Sequence, residues 1–130
     1  MNMEALINLP EFYSLKGANE AQICSLEESL SLKFSTEYHK LLSLYGCISV
    51  NGHEIVGFST SNRLDVVTVT IEEKEKNKKI PNDFYVIEQL GMDGIVVWQQ
   101  SNGNIYLSRK NSKPKLICCD SIVDYLLKHN

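Results

Sequence analysis

Residues 34–57 read FSTEYHKLLSLYGCISVNGHEIVG, and this stretch decides the fold. Tyr38, Leu41, Leu42 and Tyr45 follow the spacing i, i+3, i+4, i+7, which places them on one face of a short helix. Ser35 and Thr36 stand where an N-cap acceptor is needed, and Glu37 suits the positive helix start. Gly46 comes after the last apolar residue, where a left-handed C-cap favours glycine. Two short strands are expected at 47–50 and 54–58. The Asn51-Gly52 pair between them predicts a type I′ hairpin turn, because both central residues need positive φ.

Towards the N-terminus, residues 1–18 form an arm with Phe12, Tyr13 and Leu15, ending in Gly17. Asn19 and Gln22 have capping-box spacing, and Ile23, Leu26 and Leu30 predict an amphipathic helix over about 20–31. Towards the C-terminus, residues 64–77 (LDVVTVTIEEKEKN) read two ways. The β-branched run 66–71 has strand propensity. Asp65 as an N-cap, the helix formers 72–76 and the lysines near the end of the run argue for a helix. Propensity alone favours the strand.

Beyond a loop at 77–83, an alternating apolar run predicts a strand at 84–88, and a continuous apolar run predicts one at 94–99. Another is expected at 104–108, after a second Asn-Gly turn at Asn102-Gly103, and a short one at 116–118. Asp120 or Ser121 caps a last helix whose inner side carries Ile122, Val123, Leu126 and Leu127. Hairpin connections dominate. The expected class is α+β: a mainly antiparallel sheet with helices on one face, two N-terminal helices, a middle helix and a C-terminal helix.

At 130 residues, one domain spanning 1–130 is expected, large enough to bury a core without staples. The net charge of −3 disfavours non-specific binding to nucleic acid and mildly favours a basic partner. No window has the apolar length of a membrane span. Residues 1–9 lack a basic n-region and include Glu4, so they do not read as a secretory signal. Cys24, Cys47, Cys118 and Cys119 read as reduced thiols of a cytoplasmic protein.

Catalytic and metal-binding patterns are missing from the sequence. His39, His53 and His129 stand in no ligand spacing and read as solvated groups, so no metal or cofactor is expected. No G-x-S-x-G elbow or recognisable catalytic cysteine occurs, so no enzyme is expected. Gly91-Met92-Asp93-Gly94 has the spacing of an RNA-clamping loop, but it lies between strands and carries an acid, and so reads as a turn. Lys74, Lys76, Lys78 and Lys79 are offset by Glu72, Glu73 and Glu75. Trp98, the single tryptophan, is either a core residue or part of a partner-binding patch.

The ordered series resembles the SUKH superfamily, whose opening is a helix starting near Leu-Pro-x-x-Tyr and ending in a Gly pair, followed by a hairpin closing on Glu-Ile-x-Gly. Here the tyrosine is Tyr38, the helix ends over 41–46 and the closure is Glu54, Ile55 and Gly57. Phe34-Ser35 replaces Leu-Pro, and Cys47 takes the place of the second glycine. Residues 81–88, 91–97 and 103–106 and a helix from Ser121 continue the likeness. The resemblance implies a helix at 64–77. It also implies a non-catalytic immunity protein that binds and neutralises a toxin domain, commonly a nuclease. Alternatives are a regulatory interaction scaffold of the same superfamily and a small enzyme of unknown class. For a basic toxin, the expected contact residues are Glu54, Glu88, Asp93 and Trp98, with Asp65 and Glu72 behind them.

Overall fold

The computed structural model describes residues 3–118 and 121–128; Cys119, Asp120 and His129 lie outside this set. Helix α1 spans Glu20–Leu30 and opens on the expected capping box between Asn19 and Gln22. Helix α2 spans Thr36–Tyr45, and the Ser35 hydroxyl accepts from the Tyr38 N–H at its start. Tyr38, Leu41 and Leu42 are buried on its inner face, as their spacing requires.

Gly46 ends α2, though not in a left-handed cap. Its φ of 72° and ψ of −72° form a γ-turn in which the Cys47 N–H donates to the Tyr45 carbonyl at 2.8 Å. The sharper reversal sends the chain straight into β2 and turns the Gly46 carbonyl towards the Phe58 N–H, 3.0 Å away.

Strands β2 (Ile48–Val50) and β3 (His53–Ile55) form the hairpin. Asn51 and Gly52 have φ of 49° and 85°, the signs a type I′ turn needs. The N-terminal arm is part of this sheet. Its β1 (Tyr13–Ser14) pairs antiparallel with β2, and a 3-10 turn at Met3–Asn8 sends Met3 and Leu6 into the core.

The ambiguous segment is helical: α3 spans Val66–Lys76, with Asp65 as N-cap. Packing overrides propensity here, because Val66, Val69 and Thr70 are buried along one side.

Strands β4 (Tyr85–Gln89), β5 (Val96–Gln99), β6 (Ile105–Ser108) and β7 (Lys115–Cys118) form an antiparallel meander. The strands therefore divide between a three-stranded and a four-stranded sheet. The sheets meet where the Val56 N–H donates to the Ile87 carbonyl at 2.9 Å. Along the same edge of β4, the Thr70 hydroxyl accepts from the Val86 N–H at 3.0 Å. Helix α3 and β3 thus cover an edge that would otherwise offer unpaired backbone.

Three sequence expectations need correction. Strand β4 does not alternate: Tyr85 to Glu88 are all buried, and a register shift between Val86 and Glu88 accommodates them. The β5–β6 turn is closed by the Gly103 N–H on the Gln100 carbonyl and has positive φ only at Gly103, so it is a longer loop than a two-residue I′ turn. In helix α4 (Ile122–Lys128), Tyr125 is buried while Leu127 is exposed.

Candidate functional site: an open sheet face

Residues alternate in β2 and β3 of the three-stranded sheet. Ile48, Val50, His53 and Ile55 are buried, while Ser49 and Glu54 face outward. The register pairs Tyr13 with Ser49 and Ser49 with Glu54, so these three side chains form one row across the solvent face. Tyr13 is 69% exposed. A shallow hollow of about 110 Å³ lies beside it, lined by Leu15, Cys47, Ile48 and Leu64 in addition to the row.

The row ends in charge. Arg63 donates to Glu54 at 2.7 Å, and this hydrogen bond, then the Glu54 charge, raises the guanidinium pKa. Both side chains are more than half exposed, so the pair contributes little to stability and stays open to re-pairing by a partner. Burial pushes the Cys47 thiol up, which disfavours its thiolate form.

The expected contact residues are scattered. Glu54 lies on the open face. Asp65 is committed to capping α3, accepting from the Thr68 N–H at 3.0 Å and the Thr68 hydroxyl at 2.8 Å. Glu72 is exposed on α3, and Asp93 is exposed in a turn with φ of 52°. Glu88 and Trp98 are withdrawn from the surface, at 2% and 0% exposure. Trp98 belongs to the core, its indole N–H donating to the Ser108 hydroxyl at 2.9 Å.

Glu88 is the centre of a buried polar cluster. His53 Nδ1 lies 3.0 Å from both carboxylate oxygens, the Tyr125 hydroxyl donates to Oε1, and the Glu54 N–H donates at 3.3 Å. His53 is therefore not a solvated hairpin group: its side chain points to the buried side of β3, where Glu88 supplies a partner. Burial, then the charge of Glu88, pushes the Tyr125 hydroxyl well up, so it remains a proton donor. The cluster ties β3, β4 and α4 together.

Glu37 does similar work elsewhere. It is in the first turn of α2, but its carboxylate accepts from the Ile122 and Val123 N–H groups at 2.5 and 3.0 Å, at the start of α4. Burial raises its pKa above the ordinary 4.5, opposed in part by these N–H groups and Ser121. The stability linked to this shift is complete below the ordinary value and is lost as pH rises through the raised one. Urea unfolding against pH should show wild type losing ground relative to Glu37→Gln across that window. A pH-independent difference would contradict the assignment.

Sequence reasoning missed Tyr13 and Arg63. A two-residue strand shows no periodicity; the only signal was an exposed-type aromatic alternating with Leu15. Among the described residues, no group of three His, Cys, Asp or Glu side chains could hold a metal ion, and no helix is long and apolar enough to cross a membrane.

No curated protein matches the chain. Among solved structures, the fold is similar to a crystal structure of a protein from Pseudomonas syringae pv. tomato, with a TM-score of 0.66 and 18% identity over 80% of this chain and 78% of that one. The family SUKH_5, described as SMI1-KNR4 cell-wall, matches residues 2–129. A match over nearly the whole sequence, on an α+β frame with the expected order of helices and hairpins, shows that the chain belongs to the SUKH superfamily.

Proposed function

We propose that this protein is a cytoplasmic, non-catalytic immunity protein that binds and neutralises a toxin domain, commonly a nuclease. Membership of the SUKH superfamily supports the reading, and the single structural observation that carries it is the open face of the three-stranded sheet. Tyr13 stands there as an exposed amphipathic anchor, with Glu54 and Arg63 on the same face as re-pairable charges. Aromatic and arginine anchors ringed by polar groups supply most of the energy of tight interfaces. Glu54 is the contact residue retained from the sequence; Glu72 and Asp93 are exposed elsewhere and add to the negative field that draws in a basic partner.

The test is co-expression with a toxin encoded next to this protein's gene. The toxin alone should kill, and the pair should grow. Tyr13→Ala should weaken binding by about thirtyfold or more, the scale of a hot-spot truncation, without loss of fold. Failure of the wild-type protein to bind or rescue sinks the immunity reading; rescue unaffected by Tyr13→Ala moves the interface elsewhere. The cell-wall description of the family favours a second reading, an interaction scaffold in cell-wall control. That reading predicts binding to a host protein and no rescue.

A further inference from the structure

A second, differently charged site lies away from the residues of the sheet face. Between the C-terminal end of α3 and strands β5 and β6 is a cleft of about 350 Å³. Val96 and Trp98 lie at its floor, and Lys76, Arg109 and Lys110 stand around it. Among the described residues, the ion pairs are Lys33–Glu27, His39–Glu20, His53–Glu88 and Arg63–Glu54, so all three cations of the cleft lack an internal counter-charge. The one carboxylate in the lining, Glu73, is engaged by the Gln89 amide at 2.6 Å.

The walls are fixed in place. The Asn77 side-chain amide donates to the Ser112 carbonyl at 2.9 Å, clipping the end of α3 to the β6–β7 turn. Gly94 lets the β4–β5 turn approach Lys110 closely: a Cβ there would lie 3.2 Å from the Lys110 Cβ. A pre-formed cleft loses less entropy on binding than one that must be assembled.

We infer that this cleft seats an acidic peptide segment carrying one apolar side chain, the side chain resting against the edge of Val96 and the methylene stems of Lys76, Arg109 and Lys110, and its flanking carboxylates reaching the charged ends of those three residues. Charge complementarity selects an acidic occupant. The apolar floor selects against a bare anion, which would leave that surface unfilled. A nucleic acid fits less well, since single strands need exposed aromatic rings for stacking and Trp98 is fully buried. This site is independent of whatever the sheet face meets.

Trp98, as the only tryptophan, is a built-in reporter. The intact protein is titrated with the capped peptide Glu-Asp-Ser-Phe-Glu-Asp while its fluorescence is followed. A saturable change is expected, weakened at least about tenfold by the double change Arg109→Glu and Lys110→Glu, and similarly when serine replaces the peptide's phenylalanine. Raising salt from about 0.1 M to about 1 M should also weaken it. Both cations are exposed, so the variant should fold, as circular dichroism will show; Lys76→Gln gives a milder second test. The proposal is overturned by no saturable change, by equal binding of a lysine-substituted peptide or a thymidine oligonucleotide, or by a folded charge-reversed variant that binds as wild type does.

Discussion

Glu88→Ala should destabilise the protein by about 3–5 kcal/mol, the sum expected when several buried donors lose one shared acceptor. The loss has an identifiable origin. Three donors, from His53, Tyr125 and the Glu54 backbone, converge on this carboxylate, and alanine leaves them without it in a region closed to water. Urea unfolding should show a lower midpoint with an unchanged slope, since the surface exposed on unfolding is nearly the same. Glu88→Gln retains one acceptor oxygen and should cost about 1–2 kcal/mol. A Glu88→Ala protein within about 0.5 kcal/mol of wild type, the range of an ordinary surface substitution, would show that the cluster does not hold β3, β4 and α4 together.

Gly57→Ala should cost more than about 3 kcal/mol, beyond the usual penalty for overpacking. A Cβ at this position would lie 1.9 Å from the Gly46 carbonyl oxygen and 2.8 Å from Leu42 Cδ2. The backbone has little room to yield. The Gly57 N–H donates to the Leu64 carbonyl, its own carbonyl accepts from the Val66 N–H, and the Gly46 carbonyl is held by the Phe58 N–H. The Tyr38 hydroxyl fixes the neighbouring Val56 carbonyl at 2.6 Å. Gly52→Ala is the matched control. Nothing lies within 4 Å of its Cβ position, so only its φ of 85° is strained, at about 1–2 kcal/mol. Thermal or urea unfolding of both variants separates steric conflict from backbone preference. Equal losses would refute the close-approach account of Gly57.

These two predictions mark where sequence reasoning succeeded and where it stopped. Short-range chemistry was readable. Ser35, the Tyr38–Leu41–Leu42 face and the Asn51-Gly52 turn each depend on neighbours within a few residues. The α3 segment was readable only with the family resemblance, because its β-branched residues favour a strand until Val66, Val69 and Thr70 are given a core to pack against. The buried charges were not readable. Glu88 meets His53 across 35 positions and Glu37 meets Ile122 across 85, and nothing local distinguishes such a glutamate from a solvated one. The division into two sheets was hidden for the same reason, since it depends on which edges α3 and β3 cover. For the candidate site, Glu54 was named from sequence. Tyr13 was not singled out, because its exposure follows from a pairing with Ser49 that only the folded register creates.

The placing of those glutamates has a bearing on how the chain matures. Both Glu37 and Glu88 give their oxygens to α4, which follows every strand in chain order. Synthesis proceeds from the N-terminus, so both sheets emerge from the ribosome before the segment that supplies these donors. Until it docks, Glu37 lacks the N–H groups that hold it and Glu88 lacks the Tyr125 hydroxyl, so water must serve in their place. The nascent protein can complete its interior only when α4 is free to close it.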